Sequence, residues 1–193
     1  MLIDRGSGTR CAKTVTLRYG TGSLVLPLAR PVDRLSLGEM VHGDPVAKLH
    51  RELRAFLVSS SPDLSRVAVS VSDKTRLCGY PELLPVLVDE LLRAGAAPKN
   101  ITFYIAYGTH AAQNEDESRN AYGPVYSDFR FVHHDCDTGG GFADFGTPRR
   151  GAPVLLRRDF CESSLKILFG AISHHYFAGY GGAIAVLWNA EAE

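Results

Sequence analysis

The feature that most constrains the fold is a strand, a helix and a second strand that follow one another between residues 67 and 106. The apolar run Val67–Val71 has the composition of a buried strand, and so does Ile101–Ala106. Between them, Pro81–Ala94 carries leucine and valine at helical spacing, and Gly95 with Pro98 marks its end. In a unit of this kind the two strands run parallel, so their carboxyl ends lie at one edge of a sheet.

The rest of the chain extends this unit into an α/β fold. Thr14–Tyr19 and Ser23–Leu28 flank a glycine-containing turn and predict a hairpin. We expect a single α/β domain over residues 1–193, with a mixed, largely parallel sheet flanked by helices and an N-terminal β-hairpin. The remaining expected segments are a helix from Asp44 to Ser59, a polar helix or loop at Asn114–Asn120, a glycine-rich connection at Gly139–Gly146, and strands at Tyr126–Val132, Pro153–Arg158 and Leu165–Phe169.

Composition excludes several classes of function. Lysine plus arginine and aspartate plus glutamate number 21 each, so nothing indicates a nucleic-acid partner. No stretch approaches the roughly 18 apolar residues of a membrane span, and no secretory leader is evident. The four cysteines are widely spaced without a C-x-x-C pair, which favours reduced thiols. We therefore expect a cytoplasmic protein without a membrane partner.

Three polar loops follow apolar runs and are the candidate site. They are Asp73–Arg76, Gly108–His110 and Ser173–Ala183, the last with two adjacent histidines and three glycines. Loops at the carboxyl ends of parallel strands hold the binding sites of open α/β sheets, so we expect the three to meet. An imidazole such as that of His110 can act as a general base near neutral pH.

Each group also has a purely structural explanation. His110 can cap the next helix, and Asp73 can pair with Arg76 in a surface salt bridge. Arg76 can alternatively bind a phosphate or carboxylate as a fork, with Asp73 orienting a histidine. The run His133–Asp137 offers metal-ligating side chains, although consecutive residues rarely converge on one ion.

Taken together, five blocks resemble the nickel-dependent lactate racemase family, from the Tyr19-Gly20 hairpin onward. The resemblance implies an α/β fold and a nickel-pincer nucleotide cofactor. It also implies that one histidine removes the hydroxyl proton of a 2-hydroxy acid such as lactate while the α-hydrogen leaves as hydride, and that a second histidine serves the other enantiomer. The blocks are Asp73-Lys-Thr-Arg76, Gly108-Thr-His110, His133-His-Asp-Cys-Asp137, Gly146–Val154 and His175–Ala183.

The resemblance implies a role for particular residues. His110 and His175 are the two acid–base histidines, and Asp73 is a hydrogen-bonding partner at the site. The cofactor contacts are Arg76, which holds phosphate, with Thr75, Gly181 and Gly182; no metal ligand is assigned in this chain. A family lysine that carries the cofactor covalently is replaced by Ile184, so covalent attachment there is not possible.

Two functions remain open at this point. The first is a 2-hydroxyacid racemase or epimerase whose second domain and nickel ligand lie beyond Glu193, so that this portion alone is inactive and its status as an enzyme is open. The second is a non-catalytic domain that binds a nucleotide phosphate or serves a structural role. A metal-dependent hydrolase built on His133–Asp137 is a third alternative, and self-association into a homo-oligomer is an expectation where a second domain would dock.

Overall fold

The structure is a computed structural model that describes residues 14–27, 43–76, 78–108, 110–135, 141–147, 149, 151, 153–175 and 179–181, with side chains up to residue 172. The chain divides into two units, Met1–His42 and Gly43–Glu193. Among the described residues, no helix has the length and apolar character that crossing a bilayer requires.

The first unit contains the predicted hairpin. Strand β1 (Thr14–Tyr19) pairs antiparallel with β2 (Gly22–Pro27), and Tyr19 faces Gly22 across the turn. Gly20 has a φ of 56°, which a side chain would disfavour, so the glycine serves the turn as expected. The predicted second strand extended to Leu28, which lies outside the described residues.

The second unit is built around four parallel strands. Their order in the sheet is β5-β4-β3-β8, so that β3 pairs with β4 on one side and with β8 on the other. In chain order its elements are α1 (Pro45–Ser60), β3 (Val67–Ser72), α2 (Tyr80–Arg93), β4 (Ile101–Ala106), α3 (Glu115–Tyr122), α4 (Val125–Asp128), β5 (Arg130–His133), β6 (Phe142–Asp144), β7 (Leu155–Arg157), α5 (Arg158–Cys161), β8 (Leu165–Phe169), β9 (Ser173–His175) and β10 (Gly179–Gly181).

Both faces of the sheet are covered, which explains why β3 has no alternation of buried and exposed residues. All six of its residues are buried. One face packs on α2, α3 and α4 through a core that includes Leu84, Leu87 and Phe103. On the other face, Ala68 and Tyr104 pack against Phe160 of α5. The α/β fold with a parallel sheet and an N-terminal hairpin is therefore confirmed.

The helices begin and end as the local chemistry predicts. The Asp44 carboxylate accepts hydrogen bonds from the backbone N–H groups of Val46 and Ala47, which caps α1 one residue before Pro45. The polar segment expected at 114–120 is a helix, α3, whose start is a capping box formed by Asn114 and Glu117.

Two strand predictions need correction. The expected strand Tyr126–Val132 is a short helix, α4, followed by β5 from Arg130 to His133. Gly123 and Pro124 start a helical turn there, which the aromatic and β-branched content of the segment obscured. The expected strand Pro153–Arg158 is shorter, because β7 spans Leu155–Arg157 and Arg158 already begins α5.

The strand order places a crevice at the centre of the sheet. The chain runs from β3 to β4 and β5 on one side and returns to put β8 on the other side of β3. Such a reversal leaves the loops after β3 and β8 apart at the carboxyl edge, where open α/β sheets bind ligands. The loop after β3 begins at Asp73, so the site predicted from the sequence lies at this reversal point.

Candidate active site at the carboxyl edge of the sheet

Two buried tyrosines fix the end of β3. The Tyr80 hydroxyl accepts a hydrogen bond from the Ser72 backbone N–H at 2.7 Å and donates one to the Phe169 carbonyl at 3.0 Å. The Tyr122 hydroxyl donates to the Ser72 carbonyl at 2.9 Å. The last residue of β3 is thus held by side chains on both of its backbone groups, and this defines the position from which Asp73 enters the site.

Asp73 and His110 form a hydrogen-bonded pair across two loops. His110 Nδ1 lies 2.6 Å from Asp73 Oδ2, and the Thr75 backbone N–H donates to Asp73 Oδ1 at 2.6 Å. The Asp73 side chain is 4% exposed, whereas that of His110 is 40% exposed. Parallel strands bring these loops to one edge, so the meeting expected from the sequence is observed for this pair.

The pair has the geometry of an imidazole whose orientation is fixed by a buried carboxylate. Burial raises the pKa of Asp73, but hydrogen bonds from Thr75 and His110 outweigh it and leave that pKa below its usual range. The carboxylate is therefore ionised at neutral pH and acts only as an acceptor. Nδ1 of His110 then carries the proton in the shared hydrogen bond, which leaves the Nε2 lone pair of the half-exposed ring available to a ligand.

Thr75 and Arg76 lie beside this pair. The Thr75 hydroxyl is 3.3 Å from His110 Nδ1 and 3.3 Å from an Arg76 guanidinium nitrogen. Arg76 forms no ion pair with any residue that the structure describes, so the alternative salt bridge between Asp73 and Arg76 is not formed. The neighbouring Lys74, in contrast, pairs with Glu117 of α3. Arg76 therefore presents a cationic fork next to the imidazole.

Gln113 and Tyr107 belong to the same edge, and sequence reasoning missed both. The Gln113 side-chain carbonyl accepts a hydrogen bond from the Lys74 N–H at 2.9 Å. The Tyr107 hydroxyl lies 2.5 Å from His133 Nδ1 and accepts from the Gln113 N–H at 3.3 Å. Burial raises the pKa of Tyr107 to about 12, so its hydroxyl stays protonated. The signal in the sequence nearest to Gln113 is the capping-box pattern of Asn114 and Glu117, which indicates where a helix begins and gives no role to Gln113.

His175 and Gly181 lie in a hairpin that follows β8. Strand β9 begins at Ser173 and pairs antiparallel with β10, with His175 opposite Gly179. The expected loop is thus in part a strand pair, and its backbone starts from the carboxyl edge where Asp73 lies. The His175 side chain and Gly182 lie outside the described parts, and so does Ile184.

The histidines at the end of β5 do not converge on one ion. His133 contacts Tyr107 and the Tyr126 hydroxyl, whereas His134 packs against Phe142 of β6. Successive strand residues point to opposite faces of a sheet, which explains the separation. In the described residues, the one group that places His, Asp and Glu ligand atoms together is His50, Asp89 and Glu90, where arginines already occupy both carboxylates.

Comparison with known proteins decides the family. Residues 51–187, more than half of the 193-residue chain, match the lactate racemase N-terminal domain. The chain belongs to this family. The matched segment contains Asp73, His110 and His175, and the resemblance seen in the sequence motifs is therefore confirmed.

Individual relatives agree with this assignment. Over 117 residues, 60% of the chain, it is 27% identical to the lactate racemase of Thermoanaerobacterium thermosaccharolyticum and 26% identical to that of Lactiplantibacillus plantarum. These matches cover 27% of each relative's length. The apoprotein structure of the T. thermosaccharolyticum lactate racemase has the same fold, with a TM-score of 0.72, 20% identity, and coverage of 92% of this chain and 44% of that one. The chain thus spans less than half of the relatives it matches.

Proposed function

We propose that this chain supplies an acid–base half of a 2-hydroxyacid racemase or epimerase site, with lactate as the model substrate. The hydrogen bond between Asp73 and His110 at the carboxyl edge of the sheet carries the proposal. It is the arrangement expected of a histidine that accepts a proton from a neutral hydroxyl, because the carboxylate fixes the tautomer and stabilises the cation that forms. Membership of the lactate racemase family supports the substrate class.

The chemistry of this half of the site follows from the pair. Nε2 of His110 takes the proton of the substrate hydroxyl, and the positive charge that develops on the ring is stabilised by the Asp73 carboxylate at 2.6 Å. The electron pair left on oxygen then forms the carbonyl as the α-hydrogen departs as hydride. Arg76, next to the imidazole, is placed to attract an anionic group of a ligand. His175 is the proposed base for the opposite enantiomer.

The described residues fit one end of the nickel-pincer nucleotide that the family resemblance implies. The Arg76 guanidinium, which forms no ion pair with the described residues, and the Thr75 hydroxyl beside it offer donors to a phosphate, with Gly181 and Gly182 as further proposed contacts. When bound, this cofactor supplies the hydride acceptor. Ile184 offers no amine, so a covalent link through that position is excluded by the sequence and retention rests on non-covalent contacts.

The test is nickel content and intact mass of the chain after co-production with the cofactor-forming enzymes, followed by chiral analysis of lactate. We expect bound nickel at unchanged protein mass, and turnover, if present, that falls at least about 100-fold in His110→Ala, as removal of a general base does. His50→Gln, on α1, is the matched control and leaves turnover intact. Nickel-loaded protein whose turnover survives His110→Ala would exclude the proposed base.

A second candidate is a non-catalytic domain that binds a nucleotide phosphate, and Ile184 favours it. Calorimetric titration with a pyridine mononucleotide separates the two. Binding that weakens about tenfold in Arg76→Gln, in protein without turnover after cofactor loading, supports the second candidate. No binding at millimolar ligand excludes it.

We also propose a cytoplasmic location. The two cysteines that the structure describes, Cys78 and Cys161, are both free thiols, and burial raises the pKa of each. Cell fractionation tests the location, and recovery with a membrane or secreted fraction would contradict it. Sedimentation of the purified chain tests the expectation of a homo-oligomer.

A further inference from the structure

Gln113 connects the two loops that carry Asp73 and His110. It lies three residues after His110 in the β4–α3 connection, and it is 5% exposed. Its side-chain carbonyl accepts the Lys74 backbone N–H at 2.9 Å, and its amide nitrogen donates to the Ser118 hydroxyl at 3.0 Å. A single buried side chain thus joins the residue directly after Asp73 to the segment directly after His110.

The surroundings of Gln113 hold it in one place. Its backbone N–H donates to the Tyr107 hydroxyl at 3.3 Å, and the Ser118 hydroxyl that it contacts donates onward to the Asn114 carbonyl at 2.8 Å. Buried polar groups that are all hydrogen-bonded fix a unique geometry, because any displacement leaves a group without a partner. The amide of Gln113 is therefore a rigid support for the Lys74 backbone.

Among the described residues, one other polar side-chain contact joins Lys74 to this part of the chain, and it is made to helix α3. The Lys74 ammonium pairs with the Glu117 carboxylate, and both side chains are 37% exposed. Water and salt compete for such a pair, and it permits a range of lysine conformations. The ion pair therefore constrains the backbone after Asp73 far less than the buried amide does.

We propose that Gln113 is a positioning residue for the acid–base pair. By holding the Lys74 N–H it keeps the Asp73 carboxylate at hydrogen-bond distance from His110 Nδ1, although its own hydrogen bonds are to Lys74, Tyr107 and Ser118. The inference rests on the proposed function, since it concerns the base proposed there. The segment after His110 thereby has a role in positioning Asp73, which neither the sequence motifs nor the strand topology indicates.

The test measures the hydrogen bond itself and does not depend on turnover. In the full chain with ¹⁵N-labelled histidine, the Nδ1 proton shared with Asp73 gives a downfield resonance, assigned by its loss in His110→Gln. In Gln113→Met we expect exchange of this proton with water to be about tenfold faster, equivalent to 1.4 kcal/mol. Gln113→Glu keeps an acceptor oxygen for the Lys74 N–H, so its exchange stays within about twofold of the wild-type rate.

Glu117→Gln is the matched control, because it removes the exposed ion pair to Lys74 and leaves Gln113 intact; its exchange rate also stays within about twofold. An unchanged rate in Gln113→Met, or equal acceleration in the Met and Glu variants, overturns the inference. If the amide spectrum shows that Gln113→Met is unfolded, Gln113→Asn replaces it, being one methylene too short for Lys74. A wild-type chain without the resonance refutes the proposed base, whereas a resonance insensitive to residue 113 refutes the positioning role alone.

Discussion

The buried carboxylate of Glu90 gives the sharpest test of the energetics. Glu90 lies on α2 with its side chain 2% exposed, and Arg54 of α1 donates to it twice, at 2.5 and 2.9 Å. His50 Nδ1 is 2.9 Å from the same carboxylate. The hydrogen bonds from Arg54, opposed by burial and helped by His50, lower the pKa of Glu90 from 4.5 to about 2. This cluster joins α1 to the helix that packs on the sheet.

The sign and size of its contribution follow by linkage. Because the folded pKa is depressed, the carboxylate stabilises the fold above pH 4.5, and this stabilisation is lost as the pH falls towards 2. The full shift corresponds to about 3 kcal/mol at 1.36 kcal/mol per pKa unit. Arg54 is 57% exposed and His50 36% exposed, so solvent screening reduces the expected contribution to about 1–2 kcal/mol.

The measurement is urea unfolding of the wild type and Glu90→Gln at pH 7, 4.5 and 3. We expect the variant to lose about 1–2 kcal/mol at pH 7 and the difference to fall to less than half of that at pH 3, because a folded pKa of about 2 leaves most of the carboxylate ionised there. Glu52→Gln, on the α1 helix that carries Arg54, breaks an exposed pair with Arg51 and should change stability by less than about 0.5 kcal/mol. A Glu90→Gln deficit of the same size at pH 3 and pH 7 would refute the electrostatic argument.

Three further outcomes are expected. Asp73→Asn replaces a charged hydrogen-bond acceptor of His110 by a neutral one, and a hydrogen bond to a charged group contributes about 1.5–3 kcal/mol. Any turnover of the cofactor-loaded chain should therefore fall roughly 10- to 100-fold, and unchanged lactate racemisation would contradict the role of the carboxylate. His134 is buried, and neither of its ring nitrogens has a hydrogen-bond partner among the described residues. Burial lowers its pKa, so the fold loses stability as the pH drops below about 6.5. His134→Phe should therefore gain about 1 kcal/mol at pH 7.5 and more at pH 5.5 in urea melts, and a loss would show that the ring has a partner. Gly123→Ala places a Cβ 3.1 Å from Pro81, at a residue whose φ is 65°. We expect the substitution to destabilise the fold by about 2 kcal/mol in thermal melts, and a change under about 0.5 kcal/mol would count against this geometry.

The sequence predicted the parts of the fold whose signals are local. The apolar run Val67–Val71, interrupted only by Ser70, predicted a buried strand, and β3 is buried along its whole length. The parallel unit then placed Asp73 and His110 at one edge, and the two side chains are in contact there. Local composition misled at residues 126–132, because aromatic residues suit a short helix packed on the core as well as they suit a strand.

The contacts that organise the site could not be predicted in this way. Tyr80 bonds to Phe169, which is 89 residues away, and Gln113 to Lys74, which is 39 residues away. Neither residue type nor spacing signals such a bond, because it depends on the packing of whole elements. The same limit explains why Lys74 and Arg76, two cations of one loop, have different partners: Lys74 meets Glu117, whereas Arg76 faces the imidazole side of the loop.

The Tyr80 hydroxyl occupies the place where β3 and β8 would otherwise extend their ladder. Pairing stops at Val71 and Phe169, and the phenol sits between the next N–H and the last carbonyl. Both backbone groups are satisfied with the strands apart, so closing the gap would gain no hydrogen bond. The ends of the two strands are therefore held apart by the phenol, and a ligand that entered between the loops after them would not have to break a strand-to-strand hydrogen bond. Rigidity of this kind favours rapid association and leaves affinity to the contacts that the loops provide.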